Sequence, residues 1–182
     1  GTMANDTAVG TDGWSLPNDA KVSDNTHTTA TGSSTADSNY LKATNFGFAI
    51  PSGATINGVT VSIERKFSSA PNTAKDKVVK LVKGGTVSGN NKADTGTNWP
   101  STDTVKTYGG AADLWGLTLT DTDTNASTFG VVLQIAKTVS DGKSGTNAYV
   151  DFISITIDYT AGGGGGGLSI PVAMQSYRRR RV

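Results

Sequence analysis

The sequence predicts an all-β protein: a single antiparallel β-sandwich of jelly-roll type, followed by an extended C-terminal tail. Three observations lead there. Hydrophobic residues make up only 35% of the 182, and the remainder is rich in Gly, Thr, Ser, Asn and Asp. Thr favours pleated strands, while Gly, Asn and Asp favour the turns between them, so this mixture suits short strands and suits long helices poorly. Several stretches alternate apolar and polar residues with a period of two, the pattern of a half-buried strand. These stretches recur at short spacing, about seven or eight of them, which points to two packed sheets.

In chain order, residues 1–38 form a polar segment that belongs to the sandwich. Its few apolar anchors, Val9, Trp14, Leu16 and Val22, predict a strand or two near Trp14 to Val22 and a mobile Ser/Thr loop from Thr26 to Ser38. The opening Gly1-Thr2-Met3-Ala4 reads as an expression scar, lacks the basic and apolar regions of a signal peptide and carries little weight.

The main sandwich is expected over 39–160. Tyr40 to Ile50 reads as a strand with Phe46 and Phe48 on one face, and Pro51-Ser52-Gly53-Ala54 as a turn. From Ile56 to Phe67 the alternation is clearest: Val59, Val61 and Ile63 on one face, Thr60, Ser62 and Glu64 on the other. A loop over Ser68 to Asp76 precedes a strand from Lys77 to Lys83, with Val79 and Leu81 inward, and Gly84-Gly85 turns the chain.

Thr104 to Tyr108 fits an edge strand, Leu114 to Leu119 is a further apolar patch, and Thr120 to Ser127 fits a capped helical turn or a loop. Phe129 to Thr138 alternates with Phe129, Val131, Leu133 and Ile135 in register. A turn at Gly142 to Gly145 leads to the last strand, Tyr149 to Tyr159, which places Ile153, Ile155, Ile157 and Tyr159 together.

Past Thr160 the pattern stops. Residues 161–167 form a glycine linker, and its six consecutive glycines have an r.m.s. reach of roughly 13 Å. Residues 168–182 form an apolar and then basic tail: Leu168, Ile170, Val172, Met174 and Tyr177 precede Arg178, Arg179, Arg180 and Arg181. Removing those four charges turns the net charge of +1 into −3, so a mildly acidic body carries a strongly basic tip. An apolar strip ending in arginines suits docking into a partner groove with an acidic or phosphate-bearing rim.

Little in the sequence points to catalysis. There is no cysteine, which removes disulfides, thiolate metal sites and cysteine nucleophiles. No apolar run reaches the ~18 residues of a membrane-spanning helix. The sole histidine, His27, lies among threonines without a Gly-x-Ser-x-Gly elbow and reads as an exposed loop residue.

Glu64 is the only glutamate, so a carboxylate pair would draw on Asp113, Asp121, Asp123 or Asp151, all near turns or strand ends where Asp serves the backbone. Asp121, Asp123 and Asn125 match the start of a calcium loop. Ala126 then replaces its glycine and Val132 its bidentate Glu, which makes these three a lesser metal candidate. Trp14, Trp99 and Trp115 are candidate sugar-stacking residues, though tryptophans in a small β-domain more often fill the core. No catalytic residue and no cofactor is expected.

The run Asn39-Tyr-Leu-Lys-Ala-Thr-Asn-Phe-Gly-Phe-Ala-Ile-Pro-Ser-Gly-Ala-Thr-Ile-Asn-Gly-Val-Thr-Val-Ser-Ile-Glu-Arg65, with Leu81 to Gly85, Tyr108 to Gly116, Phe129 to Leu133 and Ala148 to Asp151 leading to Asp158-Tyr-Thr160, resembles a pattern in uncharacterised structural proteins of tailed bacteriophages. The resemblance covers roughly residues 12 to 160. It implies a non-enzymatic virion module, located in the phage particle as capsid decoration or tail-associated protein. Its expected partners are other virion proteins and copies of itself, with no membrane contact. Nucleic acid would be met only through the arginine tip, giving weak, strongly salt-dependent attachment. The alternative function is a carbohydrate-binding or adhesin module of a phage fibre or cell-surface protein, built on the tryptophans.

Overall fold

A computed structural model describes residues 1–32, 35–68, 71–140, 146–162 and 169–173, with Thr146 and the last segment described by their backbone alone. Eleven strands are present among these residues: β1 (Thr2–Asp6), β2 (Trp14–Ser15), β3 (Thr28–Gly32), β4 (Tyr40–Thr44), β5 (Thr55–Phe67), β6 (Thr73–Lys83), β7 (Thr86–Ser88), β8 (Thr104–Gly110), β9 (Gly130–Thr138), β10 (Thr146–Thr160) and β11 (Ser169–Ala173). A 3₁₀ turn at Pro17–Ala20 and one short helix, α1 (Asp121–Asn125), complete the regular structure.

Two sheets pack face to face. One has the order β1-β4-β9-β6-β7 and the other β2-β3-β10-β5-β8, with β11 added to β10. Every pairing between strands is antiparallel. From β3 to β6 each strand lies in the opposite sheet from the one before it, and β8, β9 and β10 alternate in the same way. Setting aside the peripheral β1, β2 and β11, the four-strand orders β3-β10-β5-β8 and β4-β9-β6-β7 are those of a jelly roll, two interlocked Greek keys.

The core is drawn from the inward residues of both sheets. Val59, Val61 and Ile63 of β5 and Ile153, Ile155 and Ile157 of β10 meet Val79 and Leu81 of β6 and Val131, Leu133 and Ile135 of β9. Bulges change which parity faces in. In β6 the register shifts between Asp76 and Val78, so Ala74 and Asp76 are buried before the shift and Val79 and Leu81 after it. In β10 the shift between Val150 and Phe152 moves the buried set from Ala148 and Val150 to Ile153, Ile155 and Ile157, and turns Tyr149 toward the outer face.

Several boundaries differ from the sequence expectation. The strand expected over Tyr40 to Ile50 ends at Thr44, because Asn45 (φ 56°) and Gly47 (φ 74°) adopt left-handed backbone. Phe46 and Phe48 stack at 5.8 Å, and Phe48 meets Phe129 edge-on at 6.3 Å, so their alternation reflects capping of the core by loop residues.

The loop expected over Thr26 to Ser38 contains β3, whose inward residues are only Thr28 and Ala30, too small and polar to register as a strand. The opening residues are integral to the fold: Thr2–Asp6 pair with Tyr40–Thr44 and bury Met3. The expected loop over Ser68 to Asp76 becomes strand from Thr73 onward, and β8 is the edge strand expected there. Thr120 caps α1 as expected: its Oγ1 accepts from the Asp123 amide at 3.1 Å, and the Asp123 carboxylate accepts from the Thr120 amide at 3.0 Å.

Candidate functional site

The free edge of β10 is covered in three steps. Thr28–Gly32 of β3 pair with Thr146–Val150, Lys21 bridges to Phe152, and Ser169–Ala173 of β11 pair with Thr156–Thr160. The last step brings part of the tail back onto its own domain. Thr160 stands opposite Ser169 and Thr156 opposite Ala173. Without β11, the β10 backbone from Thr156 to Thr160 would present a row of unpaired donors and acceptors on that edge, a ready template for another strand.

Of the docking residues named from the sequence, Ile170 and Val172 lie on β11, opposite Tyr159 and Ile157. Leu168, Met174, Tyr177, Arg178, Arg179, Arg180 and Arg181 lie outside the described residues. The backbone pairing of β11 with β10 gives residues 169–173 a partner strand within their own chain.

A polar cluster occupies the outer face of the same sheet, near the other end of β10. His27 is half-buried rather than exposed, because its Nε2 lies 3.0 Å from Asp103 Oδ1 and its ring meets Tyr149 edge-on at 5.6 Å. Lys66 Nζ donates to the other oxygen of Asp103 at 2.7 Å and sits 5.6 Å from the Tyr149 ring centroid. Burial alone would raise the Asp103 pKa, but hydrogen bonds from Lys66 and His27 outweigh it and hold the carboxyl below its usual range.

Asp151, the residue at the β10 bulge, accepts from the amides of Asp24 and Asn25 at 3.4 and 3.2 Å, and Ser23 donates to Glu64 at 2.7 Å. Burial pushes the Asp151 carboxyl above its ordinary value despite those two amides. These contacts fasten the 23–27 loop and the loop before β8 onto the sheet. The contacts of His27 in this cluster are the Asp103 carboxylate and the Tyr149 ring.

The tryptophans do not form a platform. Trp14, Trp99 and Trp115 are 4%, 5% and 0% exposed, which leaves no indole face free to stack on a sugar ring. Each indole N–H is spent inside: Trp14 on the Asn39 carbonyl at 3.0 Å, Trp99 on Asp76 at 2.7 Å and Trp115 on the Val59 carbonyl at 2.8 Å. Burial with a satisfied polar tip is the usual use of tryptophan in a small β-domain.

Asp123 is committed to the helix cap and to Lys83 at 3.1 Å, and Asn125 both donates to and accepts from the Ile50 backbone at 2.8 Å. Two of the three residues of the lesser calcium candidate Asp121, Asp123 and Asn125 are thus engaged in structural bonds, Asp123 with the helix cap and Lys83 and Asn125 with the Ile50 backbone. No group of three or more His, Asp or Glu side chains among the described residues is placed to hold a metal ion. Asp113 pairs with Lys92 at 2.7 Å, which holds its carboxyl below the usual range. No helix among the described residues is long and apolar enough to cross a membrane.

Sequence reasoning placed Asp76 at the end of a loop and missed its role in the interior. Asp76 accepts from Trp99 Nε1, from Tyr108 Oη at 2.9 Å, from the Asp94 amide at 3.0 Å and from the Arg65 guanidinium, whose Cζ lies 4.7 Å from the Trp99 ring centroid. Burial and the neighbouring Asp76 carboxylate drive the Tyr108 hydroxyl pKa far upward, so it remains a donor. Arg at an inward position of β5 was the one available signal, since a buried guanidinium requires a carboxylate opposite. The chain matches no protein-family model, no curated protein and no solved structure.

Proposed function

We propose that this chain is a non-enzymatic structural module of a phage particle, a capsid-decoration or tail-associated protein that self-associates through its C-terminal strand. The carrying observation is the pairing of Ser169–Ala173 with the Thr156–Thr160 edge of β10 across a glycine-filled loop. A short strand that follows a run of glycines in the sequence can occupy the same edge of a neighbouring copy with the same main-chain hydrogen bonds, a β-strand addition.

Effective concentration decides between the two arrangements. A short flexible linker holds the strand near its own edge at about millimolar effective concentration, so exchange prevails only where copies are held together more densely than that, as on a particle surface. The jelly roll is common to capsid and lectin domains, and fold alone does not choose between them. The virion reading is supported by the sequence resemblance. The sugar-binding reading requires an exposed aromatic platform, and the three indoles are buried.

Deleting residues 162–182 tests the proposal. Sedimentation of the full chain at concentrations raised to about the millimolar range is expected to show self-association that the truncated chain lacks, while both melt at similar temperatures. Equal association by both proteins would overturn it.

A further inference from the structure

Lys137 lies on β9 at an inward position, in line with Val131, Leu133 and Ile135, and its side chain is wholly buried. Its Nζ is 2.6 Å from Oδ2 of Asp12, a side chain 13% exposed. Neither Lys137 Nζ nor Asp12 Oδ2 makes a hydrogen bond among the described residues, to each other or to anything else. An ammonium has three donors to satisfy, and burying it against one misaligned carboxylate is a costly arrangement.

The approach of the two groups is built into the backbone. Gly32 of β3 lies directly against them: a Cβ there would collide with Asp12 Oδ2 and sit 2.6 Å from Lys137 Nζ. One short segment fixes both partners. The Lys137 amide donates to the Ala36 carbonyl at 3.0 Å, the Asp12 amide donates to the Asp37 carbonyl at 3.2 Å, and the Asn39 amide donates to the Asp12 carbonyl at 2.8 Å. Asp12 also bridges to Ser38, and Asp37 to Ala136. An amine and a carboxyl are thus held in contact and largely shielded from water, with little freedom to separate.

We propose that Lys137 and Asp12 are a covalent cross-linking site, joined by an intramolecular amide between Nζ and Cγ. A proton passes from the ammonium to the carboxylate, and the neutral amine attacks Cγ. The Nζ–Cγ bond forms, the Cγ–O bond to the protonated oxygen breaks, and that oxygen leaves as water with the second proton from nitrogen. Ammonium and carboxylate together lose one water, and nothing else enters or leaves. Well-oriented intramolecular reactions reach effective molarities of about 10⁵–10⁸ M, which is the advantage a fixed, water-poor contact supplies. The product replaces a buried charge pair with a neutral amide. In a chain without cysteine, it ties the N-terminal segment to the centre of a sheet.

Intact mass of the denatured full chain is the test. The expected mass is one water below that of the sequence, and the Lys137→Met and Asp12→Ala variants should show their full masses. A proteolytic digest of the wild type should contain a branched peptide joining the Asp12 and Lys137 segments. This readout stands even if a variant fails to fold. A wild-type mass equal to the sequence mass overturns the proposal. So does a water loss that persists in Lys137→Met and that hydroxylamine converts into chain cleavage between Asp12 and Gly13, because that outcome assigns the loss to succinimide formation there.

Discussion

Asp76 shows what one buried carboxylate does in this core. Its two oxygens receive an indole, a phenol, a backbone amide and a guanidinium, drawn from β5, β8 and the segment between β7 and β8. Asp76→Ala would leave Arg65 charged and enclosed without a counter-ion, and breaking such a pair typically costs about 3–5 kcal/mol. Urea denaturation should show that loss. The double variant with Arg65→Ala should be far less than additive, since both substitutions disrupt one network.

Two carboxylates near the 23–27 loop give opposite pH signatures. Asp103 has a lowered folded-state pKa, so its contribution is present above its unfolded value of 3.8 and lost as pH falls through the lower folded value. Asp103→Asn should therefore reduce stability at neutral pH and flatten the acid limb of a stability–pH curve. Asp151 has a raised folded-state pKa, so its contribution is greatest below 3.8 and is lost as pH rises through the folded value. Asp151→Asn should remove that loss and leave stability at neutral pH equal or higher. Denaturant midpoints across the acid range check both. None of these pairings could be foreseen, because His27 and Asp103 are 76 residues apart and no local period connects them.

At the scale of elements, short-range chemistry was legible and phase changes were not. The Thr120 cap followed directly from Thr-x-x-Asp, and Thr120→Ala should cost about 1 kcal/mol by removing the oxygen that accepts from the Asp123 amide. Long alternating runs in β5, β9 and β10 marked their strands because large apolar residues fill one face. The bulges at Asp76/Val78 and Val150/Phe152 left no such mark, since a single inserted residue reverses the parity without changing composition. β1 and β3 were missed because Met3, Thr28 and Ala30 supply nearly all of their buried side chains.

For the whole molecule, the predicted jelly roll is present and the peripheral strands add to it. β11 touches β10 over its last five residues only, Thr156–Thr160. Loss of residues 162–182 should leave the melting transition little changed and act on association instead. If the arginine tip takes part, association should weaken as salt rises, because screening shortens the reach of charge to about 10 Å at 0.1 M. Replacing Arg178 to Arg181 with glutamine should flatten that dependence in sedimentation runs at two ionic strengths.

The place of β10 bears on the order of events during synthesis. β3 and β5 both pair with β10 and not with each other. A nascent chain stopped before Thr146 therefore carries two halves of one sheet with a gap where their common neighbour belongs. The sheet β3-β10-β5-β8 therefore cannot be completed until β10 is made, whereas every strand of the other sheet precedes it. The strand that unites the two halves follows nine others in the chain.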